Sequence, residues 1–419
     1  MSIRSQRPVG RISSIQTFYL LALGAGVMRT ISVGFDIVAI NATSGDSLVF
    51  GFMSQWVSFL VTLSIVVVLS LKRGQKGKRH ALGYSLDPDF GCLSILPKKP
   101  MMYVLLAGVF AGISTFSYYI IIGISDASSV LPYGQLVIIY LLVGDLFAEK
   151  DTPTIVEVHC VLSILLGVLL VGATPGGFDL AVLLIVLVPM NISSALTTYY
   201  QRRAKRYELQ PGLRVDSLNM RVWSLLILDL VYSVLSLPLM SELSWNAVAT
   251  SFVPLLGFMI GSSLTTFLSI VMYVRALGRG SMAIVNSLSA ISVVLGIPMA
   301  LIGNLLVPGA FGVVSSDTFL WTLRIIGIVL VLIGVISLEA SDVRSIMLVK
   351  VRPRTGDLLP DLYAIRGVES VSALAGRDDY LLSVRSRSLA KTRKLILKKI
   401  QNIEGVKTVQ TLVVLKEFR

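Results

Sequence analysis

The sequence predicts an α-helical polytopic membrane protein. Ten transmembrane helices form two inverted five-helix repeats, and a small α+β domain of order βαββαβ follows them. Three observations predict this. Hydrophobic residues make up 54% of the 419 positions and charged residues 15%, against roughly 45–50% and 25% in soluble domains. Most apolar residues lie in runs of about 20, the length that crosses a bilayer core of roughly 30 Å. From Ser341 onward those runs give way to short alternating segments. A single soluble globule, a disordered chain and a disulfide scaffold are thereby excluded. Cys92 and Cys160, with His80 and His159, are too few for a disulfide framework or a metal cluster. The formal charge of +13 resembles a nucleic-acid signature, but in a membrane protein it reflects cytoplasmic loops rich in Lys and Arg.

The elements follow in order. Residues 1–14 are a short basic start containing Arg4, Arg7 and Arg11. The first repeat occupies residues 15–173, with apolar segments at Ile15–Phe35, Leu48–Leu71, Met101–Ile122, Ala127–Ala148 and Thr154–Gly172. No small-residue cleavage site follows the first segment, so it reads as an anchored helix rather than a signal peptide. Pro175-Gly176-Gly177 punctuates the joint between the repeats. The second repeat, residues 174–340, holds Leu180–Tyr200, Leu218–Met240, Val253–Val274, Ser281–Gly303 and Thr318–Leu338.

Lys and Arg set the orientation. One alternating set of joints carries Lys72, Arg73, Lys76, Lys98, Lys150, Arg202, Arg203, Lys205, Arg206, Arg214 and Arg279. The other carries Asp46, Asp126, Asp179, Glu242 and Asp317 with no Lys or Arg. Both termini are therefore expected in the cytoplasm, in a multi-pass protein of the cell membrane, with the lipid bilayer as its solvent. The turns Ile122–Val130 and Arg275–Ala283 both end in small residues before an apolar run, one acidic and one basic. An odd number of helices per unit places them on opposite sides, the arrangement of inverted repeats with a midplane site between the halves.

The residues that carry a family resemblance are Ala127-Ser128-Ser129-Val130, Ala148-Glu149-Lys150-Asp151-Thr152-Pro153 and Leu165-Leu166-Gly167-Val168-Leu169-Leu170, with Arg275–Ser281 matching the corresponding second-half turn. Residues 15–340 resemble the drug/metabolite transporter superfamily, EamA-like type. The resemblance implies a ten-helix secondary transporter exporting amino acids or similar small metabolites. Departures are the replacement of an acidic residue near Gly303-Asn304, a long loop Leu305–Asp317, and prolines displaced to Pro132 and Pro298.

In residues 341–419 the pattern predicts strands at Ile346–Val351, Val368–Ala373, Tyr380–Ser386 and Val406–Leu415 and helices at Leu358–Ile365 and Leu389–Ile400. That order is the ferredoxin-like split pattern. Val349, Leu382 and Val384 are expected on the helix-covered face, and Val371, Leu381 and Val413 on an open face. The stretches Ile365–Val371, Ala375–Leu382 and Ile403–Thr411 resemble the effector-binding domain of leucine-responsive regulator/AsnC proteins. The resemblance implies a cytoplasmic regulatory domain that pairs sheet to sheet into a homodimer and takes an amino-acid effector, with Gly376 and Asp379 at the hairpin. The alternative reading of that hairpin is ordinary turn chemistry. No helix-turn-helix precedes the domain, so no nucleic-acid partner is expected.

No Walker A sequence, Ser–His–Asp set or metal-ligand spacing is present. The chain reads as a non-enzyme, without cofactor, driven by a gradient. Ionisable residues inside a membrane are functional candidates because burying them is costly. Arg29, two thirds along the first helix, is the first candidate for the carboxylate of a small-molecule substrate, with pairing to Asp36 or snorkelling as the competing readings. Asp145 and Arg324 are expected to snorkel, and Asp229 to sit deep on a peripheral helix. Tyr118, Tyr133, Gln135, Asn191, Thr197, Asn286 and Ser289 complete the expected pocket, each of them equally able to bond a neighbouring helix. The rival function is a membrane-bound small-molecule sensor without transport, which calls for a bundle sealed by apolar side chains.

Overall fold

The computed structural model describes residues 14–42, 46–73, 80–124, 132–147, 155–171, 180–210, 213–306, 311, 317–340, 343–353, 356–363, 365, 368–376, 378–386 and 396–413. The basic start, the turn at 175–177, the stretch 125–131 and most of the helix expected at 389–400 lie outside them. The described chain divides into two compact units: a helical bundle, and a unit holding residues 336–419 with 154–157.

The bundle contains α1 (Ser14–Ala42), α2 (Ser47–Leu69), α3 (Lys98–Ile124), α4 (Val137–Phe147), α5 (Ile155–Val171), α6 (Leu180–Ile185), a π-helical stretch Val186–Ile192, α7 (Ser193–Lys205), α8 (Ser217–Ser236), α9 (Glu242–Leu277), α10 (Met282–Ser289), α11 (Ile291–Leu306) and α12 (Thr318–Ala340). Eight spans are long and apolar enough to cross a membrane; Pro132–Asp145 and Val158–Val171 are shorter apolar helices among the described residues. Two short hairpins, β1 (Lys72–Arg73) with β2 (His80–Ala81) and β3 (Glu208–Gln210) with β4 (Leu213–Arg214), lie in the joints.

Caps explain several boundaries. The Asp46 carboxylate accepts from Val49 N at the start of α2, and Asp216 accepts from Asn219 N at the start of α8. Helix α9 begins at Glu242 rather than at the expected Val253. Ser241 and Ser244 form a reciprocal capping box there, and the helix continues through Pro254. Pro189 has no N–H to give, and the ladder opens into π geometry around it.

The apolar helix containing Pro132–Gln135 is interrupted by a turn at Leu136 before α4, and the α10–α11 span is interrupted at Ala290. Helices α5 and α12 cross at a reciprocal glycine contact. A Cβ at Gly167 would lie 2.5 Å from the carbonyl oxygen of Gly327, and a Cβ at Gly327 would lie 2.5 Å from that of Gly167. Such small-residue crossings replace the hydrophobic drive that lipid removes.

The second unit holds β5 (Val343–Val351), α13 (Leu359–Tyr363), β6 (Val368–Ala373), β7 (Tyr380–Ser386), α14 (Lys398–Gln401) and β8 (Val406–Val413). The sheet order is β6-β7-β5-β8, with antiparallel neighbours throughout. Met347, Val349, Leu382, Val384, Leu362 and Ile400 form its fully covered core. The register corrects the expected faces. Val371 pairs with Leu382, which places it on the covered face, while the side chain of Val413 lies outside the description. The bulge between Val368 and Ser370 shifts β6 by one residue, a shift that alternation alone does not reveal. The open face carries Ile346, Leu348, Leu381 and Leu412.

Candidate functional site

A cavity of about 200 Å³ lies inside the bundle, lined from α1, α2, α3, the Gly134 segment, the π-helical stretch, α7, α8 and α9. Its floor is a polar ladder on α9. Ser262 donates to the Asp36 carboxylate at 2.7 Å, Thr266 bonds Ser32, and Ser269 donates to the carbonyl of Ala25 at 2.8 Å. This pairing sets α1 antiparallel to α9 and aims the Arg29 and Asp36 side chains of α1 into the cavity.

Arg29 is exposed to that space and makes no hydrogen bond or ion pair among the described residues. Asp36 is bonded to Ser262 instead, so the competing Arg29–Asp36 pair is not formed. Tyr118 lines the cavity with a buried hydroxyl that has no hydrogen-bond partner among the described residues. Asn191 donates through Nδ2 to the carbonyls of Tyr133 (3.0 Å) and Val186 (2.7 Å), while its buried Oδ1 accepts nothing from the described residues. Val186 and Asn191 both lie in the π-helical stretch.

The other expected pocket residues do not line this cavity. Gln135 and Asn286 join the two interrupted helices: Asn286 Nδ2 donates to Gln135 Oε1 (3.1 Å), and Gln135 Nε2 donates to Ser292 Oγ (3.2 Å). Ser289 donates to the carbonyl of Asn286 at 2.8 Å. Tyr133 is buried and contributes its carbonyl to Asn191. Thr197 donates back to Ser193 O on its own helix. The pocket read from the sequence thus divides into a cavity set, Arg29, Tyr118 and Asn191, a helix-joining pair, Gln135 and Asn286, and residues such as Ser289 and Thr197 that bond back within their own helices.

Three cavity residues escape the sequence reading. From the sequence Asp36 reads only as a counter-ion to Arg29. Ser262 is one of many serines. Arg221 sits one turn into α8, where an arginine reads as a loop charge. It is 5% exposed, lines the cavity, and has a buried Nε without a hydrogen-bond partner among the described residues. Asp229, two turns further along α8, is fully buried, and neither carboxylate oxygen is hydrogen-bonded among the described residues.

A charged knot lies where the Lys205 and Asp87 joints meet. Lys205 Nζ contacts Asp87 Oδ2 and Asp89 Oδ2, both at 2.9 Å, and donates to the carbonyl of Val215 at 2.8 Å. Asp87 also accepts from Ser217 N at 2.7 Å. Burial alone would push the Asp87 carboxyl up, but Lys205 and the Ser217 N–H outweigh it and hold it below the ordinary value. Asp216 beside it is raised by burial. Asp145 does not snorkel. It is 2% exposed, pairs with Arg202 at 2.5 Å, and accepts from Met282 N and Ala283 N at the start of α10. Arg324 is also buried rather than snorkelling, at 6% exposure.

In the second unit the β6–β7 connection folds back on β5. Leu374 N donates to Asp379 O (2.8 Å), and Asp379 N donates to Val349 O (3.0 Å). Val351 N donates to Asp379 Oδ2 at 2.8 Å. With this sheet order and connection in place, the comparison with known families is decisive: residues 345–419 match the family described as Lrp/AsnC ligand binding domain. The C-terminal segment is an Lrp/AsnC ligand-binding domain. No curated protein matches the chain. A solved structure titled only "Crystal structure of protein" aligns at 15% identity and a TM-score of 0.46, covering 75% of this chain and 95% of that one. At that score it bears on neither fold nor function.

Within the Lrp/AsnC domain, Asp379 ties the hairpin to β5 through side chain and backbone alike. Gly376 faces open space: a Cβ there would touch nothing within 4 Å. The positive φ expected of turn glycine occurs at Gly405 (φ 100), whose carbonyl accepts from Arg352 N at 2.8 Å.

Proposed function

We propose that the chain is a secondary transporter of ten transmembrane helices in two inverted repeats, of the EamA-like drug/metabolite type, exporting amino acids or similar small metabolites by alternating access. Both termini lie in the cytoplasm, and a gradient supplies the energy with no catalytic chemistry on the chain. The ferredoxin-like Lrp/AsnC domain senses an amino acid and pairs two copies. The observation that carries this reading is the bundle cavity, where Arg29, Tyr118 and Asn191 present polar groups that the protein itself leaves unmatched. A bundle serving only as anchor for a sensor gains nothing from unmatched polar groups at its centre, since each costs stability. The turns at Leu136 and Ala290, in apolar helices of the two halves, and the reciprocal crossing of Gly167 and Gly327 support the inverted duplication.

Substitution at Arg29 tests the reading. Arg29→Lys keeps the charge and loses the two-pronged fork, so transport of an anionic substrate is expected to weaken. Arg29→Gln is expected to lower apparent affinity roughly tenfold or more, the worth of a charged hydrogen bond. Undiminished flux through a folded Gln variant in proteoliposomes would remove Arg29 from the substrate site.

Pairing through the Lrp/AsnC domain rests on the open sheet face. Leu348 and Leu381 pair across β5 and β7 on that face, with Leu412 44% exposed nearby. Leu348→Lys and Leu381→Lys place charge in the centre of the expected interface. The mass of the detergent-solubilised chain, read by light scattering, is expected to fall from dimer to monomer in the double variant. A wild-type chain that is monomeric at high concentration would remove the pairing.

A further inference from the structure

We propose that the bundle cavity recognises a dicarboxylic amino acid, holding its ammonium at Asp36 and Ser262, its α-carboxylate at Arg29 and its second carboxylate at Arg221. This rests on the transporter reading above and names its substrate class.

Three charged groups face the cavity at successive levels of α9. Asp36 is fixed at the level of Ser262. Ser32 is fixed at Thr266 and Ala25 at Ser269, so Arg29 lies between those levels. Arg221 shares the cavity wall with Ile270 and also lines a small neighbouring void with Ile270 and Val274. From Ser262 to Ile270 is eight residues, about 12 Å of helix. The cavity therefore runs from one negative group through one positive group to a second positive group.

Each simpler ligand leaves one of these groups unanswered. A neutral amino acid satisfies Asp36 and Arg29 and leaves Arg221 alone. A basic amino acid brings a cation to two arginines. An anion without an amine leaves Asp36 facing carboxylates. An amino dicarboxylate meets all three.

Arg221 is the strongest part of the case. It is more than nine-tenths buried and aimed into the cavity, with no hydrogen bond or ion pair among the described residues. Asp229 supplies the nearest opposite charge on its helix, but no contact joins the two, and both Asp229 oxygens are without donors. A buried guanidinium without a partner is costly, and its planar fork matches a carboxylate. Tyr118, with its unmatched hydroxyl, lines the same space.

Counterflow in proteoliposomes of the full chain tests this, because exchange needs neither the coupling ion nor the direction of net flux. Glutamate and aspartate are compared with leucine, alanine and lysine. The expected result is exchange of the acidic pair at concentrations roughly tenfold or more below the others. Arg221→Gln is expected to raise the half-saturating glutamate concentration roughly tenfold or more while neutral amino acids stay within about threefold, and Arg221→Lys to recover part of the loss. Equal exchange of neutral and acidic amino acids by the wild type overturns the substrate class and leaves the transporter reading standing. Exchange of no amino acid at all overturns both. If Arg221→Gln does not fold, the wild-type selectivity alone decides.

Discussion

Replacing Lys205 by Met is expected to destabilise the folded bundle by about 3–5 kcal/mol, the cost of leaving a buried carboxylate without its cation. Asp87 is 1% exposed, and Lys205 is its only ion-pair partner among the described residues. After the substitution the N–H groups of Ser217 and Asp89 still donate to it but no cation does, and the Val215 carbonyl also loses its donor. Asp89 is partly solvated and suffers less. The midpoint of thermal unfolding in detergent reads the effect. The double variant Lys205→Met with Asp87→Leu removes both ends of the pair and is expected to regain much of the loss.

Acid titration gives an independent check with a definite sign. In the wild type the Asp87 carboxyl is held below its ordinary 3.8, so the folded state binds this proton less readily than the unfolded chain. Its contribution is present above pH 3.8 and is lost as the pH falls through that value and below. Without Lys205 the burial effect is left dominant and the direction reverses. The variant's deficit should then shrink as acid neutralises Asp87, while the wild type weakens over the same range. Asp216 is raised by burial and lowered by Lys205, so removing Lys205 lets it rise further and adds to the same trend in the variant. A deficit that does not vary with pH would mean that Lys205 acts through packing alone.

The second large effect is expected at the α5–α12 crossing. Gly167→Leu places a Cβ 2.5 Å from the carbonyl oxygen of Gly327 and 2.9 Å from a Val331 methyl, where backbone cannot yield cheaply. Overpacking of this kind costs about 1–3 kcal/mol for small intrusions, and the rest of the leucine side chain adds to it. Gly327→Leu meets Gly167 in the mirror position and should cost a similar amount. Because both substitutions open one contact, the double variant is expected to cost less than the sum. Thermal midpoints of the three proteins settle the matter; a Gly167→Leu chain as stable as wild type would rule out the crossing. The same glycines carry the strongest support for an inverted duplication, so their failure would weaken the transporter reading as well.

The sequence by itself determined what depends on neighbours along the chain. Apolar runs long enough to cross a bilayer are local, and eight of them appear as single spans. The strands Val368–Ala373 and Tyr380–Ser386 were legible to the residue, because alternation and turn residues are written within a few positions. Only the tertiary structure decided which polar residues share a space. Lys205 finds Asp87 across 118 residues, Arg202 finds Asp145 across 57, and Asp36 finds Ser262 across 226. Each residue alone reads as a loop charge, a snorkelling side chain or one serine among many. Helix packing also divided the expected pocket, taking Arg29, Tyr118 and Asn191 into the cavity and giving Gln135 and Asn286 to a contact between helices. It brought in Arg221, because the rotation of α8 about its own axis is set by contacts with α3 and α2 and not by any pattern within its twenty residues. In the Lrp/AsnC domain one bulge moved Val371 to the covered face, since a single inserted residue reverses every later side chain on a strand.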